Sequence, residues 1–321
     1  MQQSDARAPA LLPVEVNLTV AIVAVRVDEP LIQIAPGGAE AALPSGPFNP
    51  VLHRTFEIGL RASVTQQTGA PLGYVEQLYT FGDRGRHARE GDRDPHVVSV
   101  GYLALTRADA TARGQSADLR PWYRFFPWED WRAGRPALLD TSILPALADW
   151  AAQPAKAKIS SVPSRADRVR QLFGSEGGAF DEESVLERYE LLYSAGLVIE
   201  AARDGRLAAP VAQLGQPMQH DHRRILATAM GRLRAKLKYR PVIFELMPDS
   251  FTLTHLQRTV EAISGRHLHK QNFRRLVETS QAVELTGQSV HATGGRPAAL
   301  WRFRREVLLE RPAPGLRVGK T

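Results

Sequence analysis

The sequence predicts an α+β chain of 321 residues. It reads as mixed strands around one helix, then a helical middle segment, then a small basic domain of helices closed by two strands. Two observations carry this reading. In residues 1–135 apolar, β-branched runs surround a single helical stretch, whereas beyond residue 164 the apolar positions recur at helical spacing. The charge balance also changes sign along the chain. Residues 221–321 hold 19 Lys and Arg against 8 Asp and Glu, while residues 1–220 hold 22 against 26. A basic module on a mildly acidic body is the electrostatic footprint of a protein that meets a polyanion.

The elements follow in order. Residues 18–25 (Leu18, Thr19, Val20, Ala21, Ile22, Val23, Ala24, Val25) are nearly uninterrupted apolar, as in a strand buried on both faces. Residues 31–34 follow as a second strand, and 42–47 as a turn rich in Pro and Gly. A helix is expected from His53 to Gln67, closed by Thr68 and Gly69. Residues 74–81 alternate as a strand, 97–105 read as another buried strand, and 122–126 (Trp122, Tyr123, Arg124, Phe125, Phe126) as one more. Between 84 and 96 lies a polar loop. The middle segment holds helices at 164–173, ended by Gly174, and at 180–196, with Asp181 as its N-cap. Val185, Tyr189, Leu192 and Tyr193 make the buried stripe of the latter, which serves either dimer contacts or simple packing. A helix over 223–238 comes next, with His220 and His222 read as capping its start.

Residues 236–303 are the most informative. A helix starts at Lys236, takes Pro241 in its first turn and stops at Pro248. A second runs from Ser250 to Gly265, with Thr252 or Thr254 as N-cap and Leu253, Leu256, Val260 and Ile263 as its apolar stripe. A third, 269–278, has Phe273, Leu276 and Val277 at helical spacing. At roughly 100° per residue, Gln271, Arg274 and Arg275 fall opposite Phe273. Such side chains reach base edges and phosphates when a helix enters the major groove. Residues 282–285 and 299–303 alternate like paired strands, and the loop 291–297 contains Gly294, Gly295 and Arg296. Together these pieces spell a winged helix-turn-helix. Its candidate DNA contacts are Lys270, Gln271, Asn272, Arg274, Arg275, Arg296, Thr252 and Thr254, with Gln271 and Arg275 reading bases. One such module covers little DNA, so a homodimer on a palindromic duplex is expected.

Composition excludes other classes. No cysteine occurs, which removes disulfides, thiol catalysis and cysteine metal sites. No apolar run is long enough to span a bilayer and the N-terminus does not read as a signal peptide, so a cytoplasmic, membrane-free protein is expected. No Gly-x-Ser-x-Gly and no glycine-rich phosphate loop is present. The sequence therefore assigns no catalytic residue, no cofactor and no metal.

Several motifs stand out together: Leu43-Pro44-Ser45-Gly46, the helix ending in Thr68-Gly69, residues 74–83 (an LYTFGD-type strand) and residues 97–103. They continue with Asp221-His222-Arg223, residues 233–239, Asn272-Phe273-Arg274-Arg275 and Gly295-Arg296-Pro297-Ala298. Through them the chain, over most of its length, resembles the NrtR-like family of Nudix-related transcriptional regulators, which implies a Nudix-like mixed sheet in α/β/α layers. The resemblance implies a Nudix-like sensor domain over 1–135, a helical insertion over 136–220 and a winged helix domain over 221–321. It implies a repressor in which ADP-ribose, or a related NAD-cycle or phosphorylated metabolite, weakens operator binding. Candidate ligand residues are Arg54, Arg61, Gln77, Tyr79 and Phe81, with Arg84, Arg86 and Arg89 of the polar loop for phosphates.

The departures from that family are specific. A working Nudix box carries an Arg-Glu pair and two adjacent glutamates that hold Mg²⁺ against a diphosphate. Aligned back from Gly69, the paired glutamates become Gln66 and Gln67, and the Arg-Glu pair becomes Ala62-Ser63. Glu57 is the carboxylate left in that helix. A catalytically silent sensor is therefore expected; the alternative is a divergent hydrolase using Glu90, Asp92 and Asp94 of the loop.

Overall fold

The computed structural model describes residues 13–69, 72–83, 96–111, 118–154, 163–175, 178–205, 214–290 and 297–307. Strand β1 (Val14–Arg26) is the spine of a mixed sheet. It pairs antiparallel with β2 (Glu29–Ile34) along its second half and with β3 (Ser45–Pro47) along its first. On its other side it runs parallel to β5 (His96–Leu105), which pairs antiparallel with β4 (Val75–Phe81). With β6 (Asp118–Pro121) beyond β2, the order is β4-β5-β1-β2-β6.

The uninterrupted apolar character of β1 has the expected cause. Leu18, Val20 and Ile22 point to one face, where helix α1 (Phe56–Thr68) supplies Leu60 and Val64. Ala21, Val23 and Val25 point to the other and join a much larger core. That core is built on α7 (His222–Leu237), which lies across β1, β4 and β5 and against α5 (Val185–Ser194). Between these come the single-turn α2 (Ala108–Thr111), α3 (Leu144–Ala152), α4 (Arg165–Phe173) and the short α6 (Ile199–Arg203). The C-terminal part contains α8 (Leu253–Ser264), α9 (Lys270–Ser280), β7 (Val283–Val290) and β8 (Ala298–Phe303). Among the described residues no helix is long and apolar enough to cross a membrane.

Four expectations are corrected. Residues 122–126 do not form a strand: Trp122–Arg124 is a 3-10 turn closed by Phe125 N–H on Trp122 O at 3.0 Å. Pro121 and Pro127 bracket the segment and cannot donate to a ladder, so its four buried aromatics are wound into the core instead. The helix expected over 236–248 is divided. Leu237 still belongs to the apolar stripe of α7, with Leu226, Met230 and Leu233, and Pro241 precedes a separate 3-10 turn, Val242–Leu246. Asp181 caps a turn rather than α5: its carboxylate accepts from Glu183 N and Ser184 Oγ, and the helix starts three residues later than expected. The turn at 42–47 contains β3, a short strand.

Candidate nucleic-acid interface

Local chemistry fixes the two C-terminal helices. Thr252 takes extended backbone angles and its hydroxyl accepts from His255 N at 3.1 Å, which meets one of the donors a helix start leaves open. Leu253, Leu256, Val260 and Ile263 are buried as the spacing requires, and Gly265 ends α8 at φ +73°. The turn to α9 is pinned by Glu261, whose carboxylate accepts from Leu268 N (2.8 Å) and Gln257 Nε2 (3.0 Å), while Gln257 Nε2 also donates to Leu268 O. Phe273 and Val277 anchor α9. The wing is extended by Phe251, which exchanges backbone hydrogen bonds with Trp301, and Phe244 stacks on Phe303 with centroids 4.3 Å apart.

This packing leaves Lys270, Gln271, Asn272, Arg274 and Arg275 exposed: Gln271 and Arg275 lie opposite Phe273, Asn272 and Arg274 on its flanks, and Lys270 in the first turn of α9. Among the described residues no carboxylate is paired with Lys270, Arg274 or Arg275. Three cations and two amides therefore stand on one short helix in open solvent. Thr252 is committed to its cap, whereas Thr254 is exposed in the first turn of α8. Arg296 lies outside the described residues.

The candidate ligand residues are split between the two faces of the sheet. The pairing of β4 with β5 is irregular between Gln77 and Thr80, a β-bulge that reverses which face the following side chains reach. Gln77 stays on the α1 side, where Tyr102 Oη donates to its Oε1 at 3.3 Å. Burial first, and then the nearby Glu57, raises the Tyr102 phenol above its ordinary range. Arg61 reaches over from α1, bonded to Glu57 at 2.9 Å and to the carbonyls of Leu72 and Gly73. Arg54 is exposed just ahead of that helix. Phe81 falls on the α7 side, buried in the core beneath the Arg224 guanidinium, with exposed Tyr79 edge-on to it at 5.3 Å. Arg84, Arg86 and Arg89 lie outside the described residues, as do Glu90, Asp92 and Asp94.

One side chain of α1 has a structural task. Gln67 pairs with the backbone of β3: Nε2 donates to Ser45 O at 2.5 Å and Oε1 accepts from Ser45 N at 3.3 Å. Next door, a Cβ on Gly46 would lie 3.0 Å from Ser63 Oγ. At the turn before α1, Leu43 N donates to His222 Nδ1 at 3.0 Å, so His222 caps a loop distant in sequence as well as opening α7.

Residues 243–303 match the family described as the NrtR DNA-binding winged helix domain. They form an NrtR-type winged helix. A curated relative, the ADPR responsive transcriptional repressor NtrR of Acinetobacter baylyi, is 47% identical over 83 residues. That match covers 26% of this chain and 33% of the relative. The fold extends the likeness. The crystal structure of Shewanella oneidensis NrtR with a 27mer DNA superimposes with a TM-score of 0.53 at 17% identity, over 91% of this chain and 94% of that one. The same protein without DNA gives the same score, over 95% of its chain.

Next to the NrtR-type domain, on the sheet side, lies a buried charge cluster that sequence reasoning missed; its Arg234 reaches the winged helix by donating from Nε to Ile263 O at 3.0 Å. Glu129 is fully buried; Arg188 of α5 bonds both its oxygens (2.6 and 2.8 Å), and Arg234 of α7 bonds Oε2 at 2.8 Å. Burial opposes the charge on Glu129, but the guanidiniums of Arg188 and Arg234 outweigh it and hold the carboxyl below its ordinary range. A signal was available: Arg234 occupies a core-facing position of α7, one residue after Leu233 and three before Leu237, where an unpaired charge would be prohibitive.

Proposed function

We propose that this chain is a transcriptional repressor of the NrtR type, binding a palindromic operator as a homodimer and releasing it when ADP-ribose or a related nucleotide-like metabolite occupies the sheet domain. The observation that carries the reading is the exposed surface of α9, which bears two amides and three cations with no paired carboxylate among the described residues, inside a domain that matches the NrtR winged helix family. Gln271 and Arg275 sit about 40° apart on that face and suit base edges, while Lys270, Arg274 and Arg296 suit phosphates or the minor groove. The relative's name, ADPR responsive repressor, supplies the effector class. Arg61, Gln77 and Tyr102, gathered beside α1, support a ligand site on that face.

The same reading makes the sheet domain a sensor without hydrolase activity. A box glutamate at position 67 would serve Mg²⁺; the amide there donates to Ser45 O, which a carboxylate cannot do. With serine at 63 and amides at 66 and 67, the residues present do not suit a divalent cation. We also place the start of the DNA-binding unit after α7, near residue 241, because α7 covers the sheet.

Selection of binding sites from random duplexes tests the main reading. A twofold-symmetric site is expected, with binding weakened by ADP-ribose and unaffected by Mg²⁺. Failure to enrich any duplex would overturn it. Magnesium-dependent release of AMP from ADP-ribose would favour the hydrolase alternative.

A further inference from the structure

An α-helix leaves its last four carbonyls without intrahelical donors. In α8 three of these are met. Gly265 N donates to Glu261 O at 2.9 Å, Tyr123 Oη to Ala262 O at 2.8 Å, and Arg234 Nε to Ile263 O at 3.0 Å. Two of the three donors come from outside the winged helix. Trp131 N adds a bond to Gly265 O at 2.7 Å. No side chain fits at that corner: a Cβ on Gly265 would stand 2.5 Å from Glu129 O, 2.8 Å from Arg234 Nη2 and 2.9 Å from Tyr123 Oη.

The capping groups are themselves fixed from behind. All five N–H donors of Arg234 are used: Nε on Ile263 O, Nη1 on Glu129 Oε2 and Glu182 O, Nη2 on Glu129 O and Tyr123 Oη. A guanidinium is planar, so fixing its Nη1 and Nη2 edges fixes where Nε points. The cluster holds two guanidiniums against one carboxylate, and its excess positive charge faces the negative end of the α8 dipole. The helix that carries the reader is thus seated on charge supplied by the sensor domain.

We propose that Glu129 is a positioning residue for DNA reading: its carboxylate, bonded to Arg188 and Arg234 and not to α8, orients Arg234 and thereby sets the angle of α8 and α9 on the sheet. For a twofold DNA binder, on which this consequence rests, that angle sets the distance between two recognition helices and makes the operator spacing stringent. Loosening Glu129 leaves readout within each half-site and relaxes the spacing.

The chain has no cysteine, so two spin labels can be placed cleanly, at Ala62→Cys on α1 and Glu278→Cys on α9, both exposed. Labelled chain diluted in unlabelled chain reports the intramolecular distance. A narrow distribution is expected for the otherwise native protein and a broadened one for Glu129→Gln. Tyr123→Phe, which removes one capping hydroxyl, gives the same direction and serves if Glu129→Gln does not fold. Equally narrow distributions in every folded variant overturn the proposal, and a lowered melting temperature alone does not rescue it. A second measurement titrates each protein on the selected operator with one or two base pairs inserted between half-sites. The native chain is expected to lose affinity by on the order of tenfold per step, the scale of one mismatched pair. The variants lose less, with unchanged affinity for an isolated half-site. Broadened distances in a chain with no spacing preference would sink the twofold reading and leave the positioning role standing.

Discussion

Replacing Arg234 with lysine tests the junction most severely, because the charge is kept and only its geometry is changed. Arg234 is 1% exposed and uses every donor it has, on acceptors arranged around the plane of its guanidinium. A lysine presents three donors from a single nitrogen and cannot reach acceptors on opposite edges of that plane. At least two buried oxygens, Ile263 O and Tyr123 Oη or Glu182 O, lose their donor. Each unmet buried group costs about 1–3 kcal/mol, so the expected loss is about 2–6 kcal/mol. Trp122 and Trp128 lie in the same core and supply a fluorescence signal for urea unfolding. The midpoint should fall with an unchanged slope, since the surface exposed on unfolding is the same. A variant within about 1 kcal/mol of the native protein would refute the reasoning, because the two-sided use of the guanidinium would then be worth no more than a surface contact.

Other expectations follow from the same geometry. Gly265→Ala combines a left-handed backbone, costing about 1–2 kcal/mol, with contacts that force neighbours apart; a melting temperature equal to the native one would contradict the corner described here. Gln67→Glu should lower stability by about 1 kcal/mol through the lost donor to Ser45 O, and should give no Mg²⁺-dependent stabilisation in thermal shift. Arg275→Ala or Gln271→Ala should cost about 1–3 kcal/mol on the operator and little on random DNA, whereas Arg274→Ala should weaken both and reduce the salt slope by about one unit. In pH titrations the contribution of Glu129 is complete above the ordinary carboxylate range. It is lost as pH falls through the lowered value of the folded state, so Glu129→Gln should show a flatter acid limb.

Much of the architecture is written within a few residues of each place where it appears. The caps of α8 at Thr252 and Gly265, and the burial of Phe273 opposite Gln271 and Arg275, follow from hydrogen bonds and spacings that act locally. So does the two-faced burial of β1, because alternate side chains of a strand meet opposite layers. The failures share a cause. Trp122, Tyr123, Phe125 and Phe126 have strand-like composition, but whether an apolar run lies flat or winds is settled by the core that receives it. The bulge between Gln77 and Thr80 separates Phe81 from Gln77, although regular alternation would have kept them on one face.

Spacing alone was enough to read a basic winged helix-turn-helix over residues 236–303 and to place Gln271 and Arg275 opposite Phe273, because both depend on local periodicity. How the winged helix meets the sheet domain could be seen only once the chain was folded. Glu129 meets Arg188 across 59 positions and Arg234 across 105, and no periodicity encodes such pairings. A buried charge announces that it needs a partner, because the cost of leaving it alone is prohibitive; which partner answers is fixed by packing.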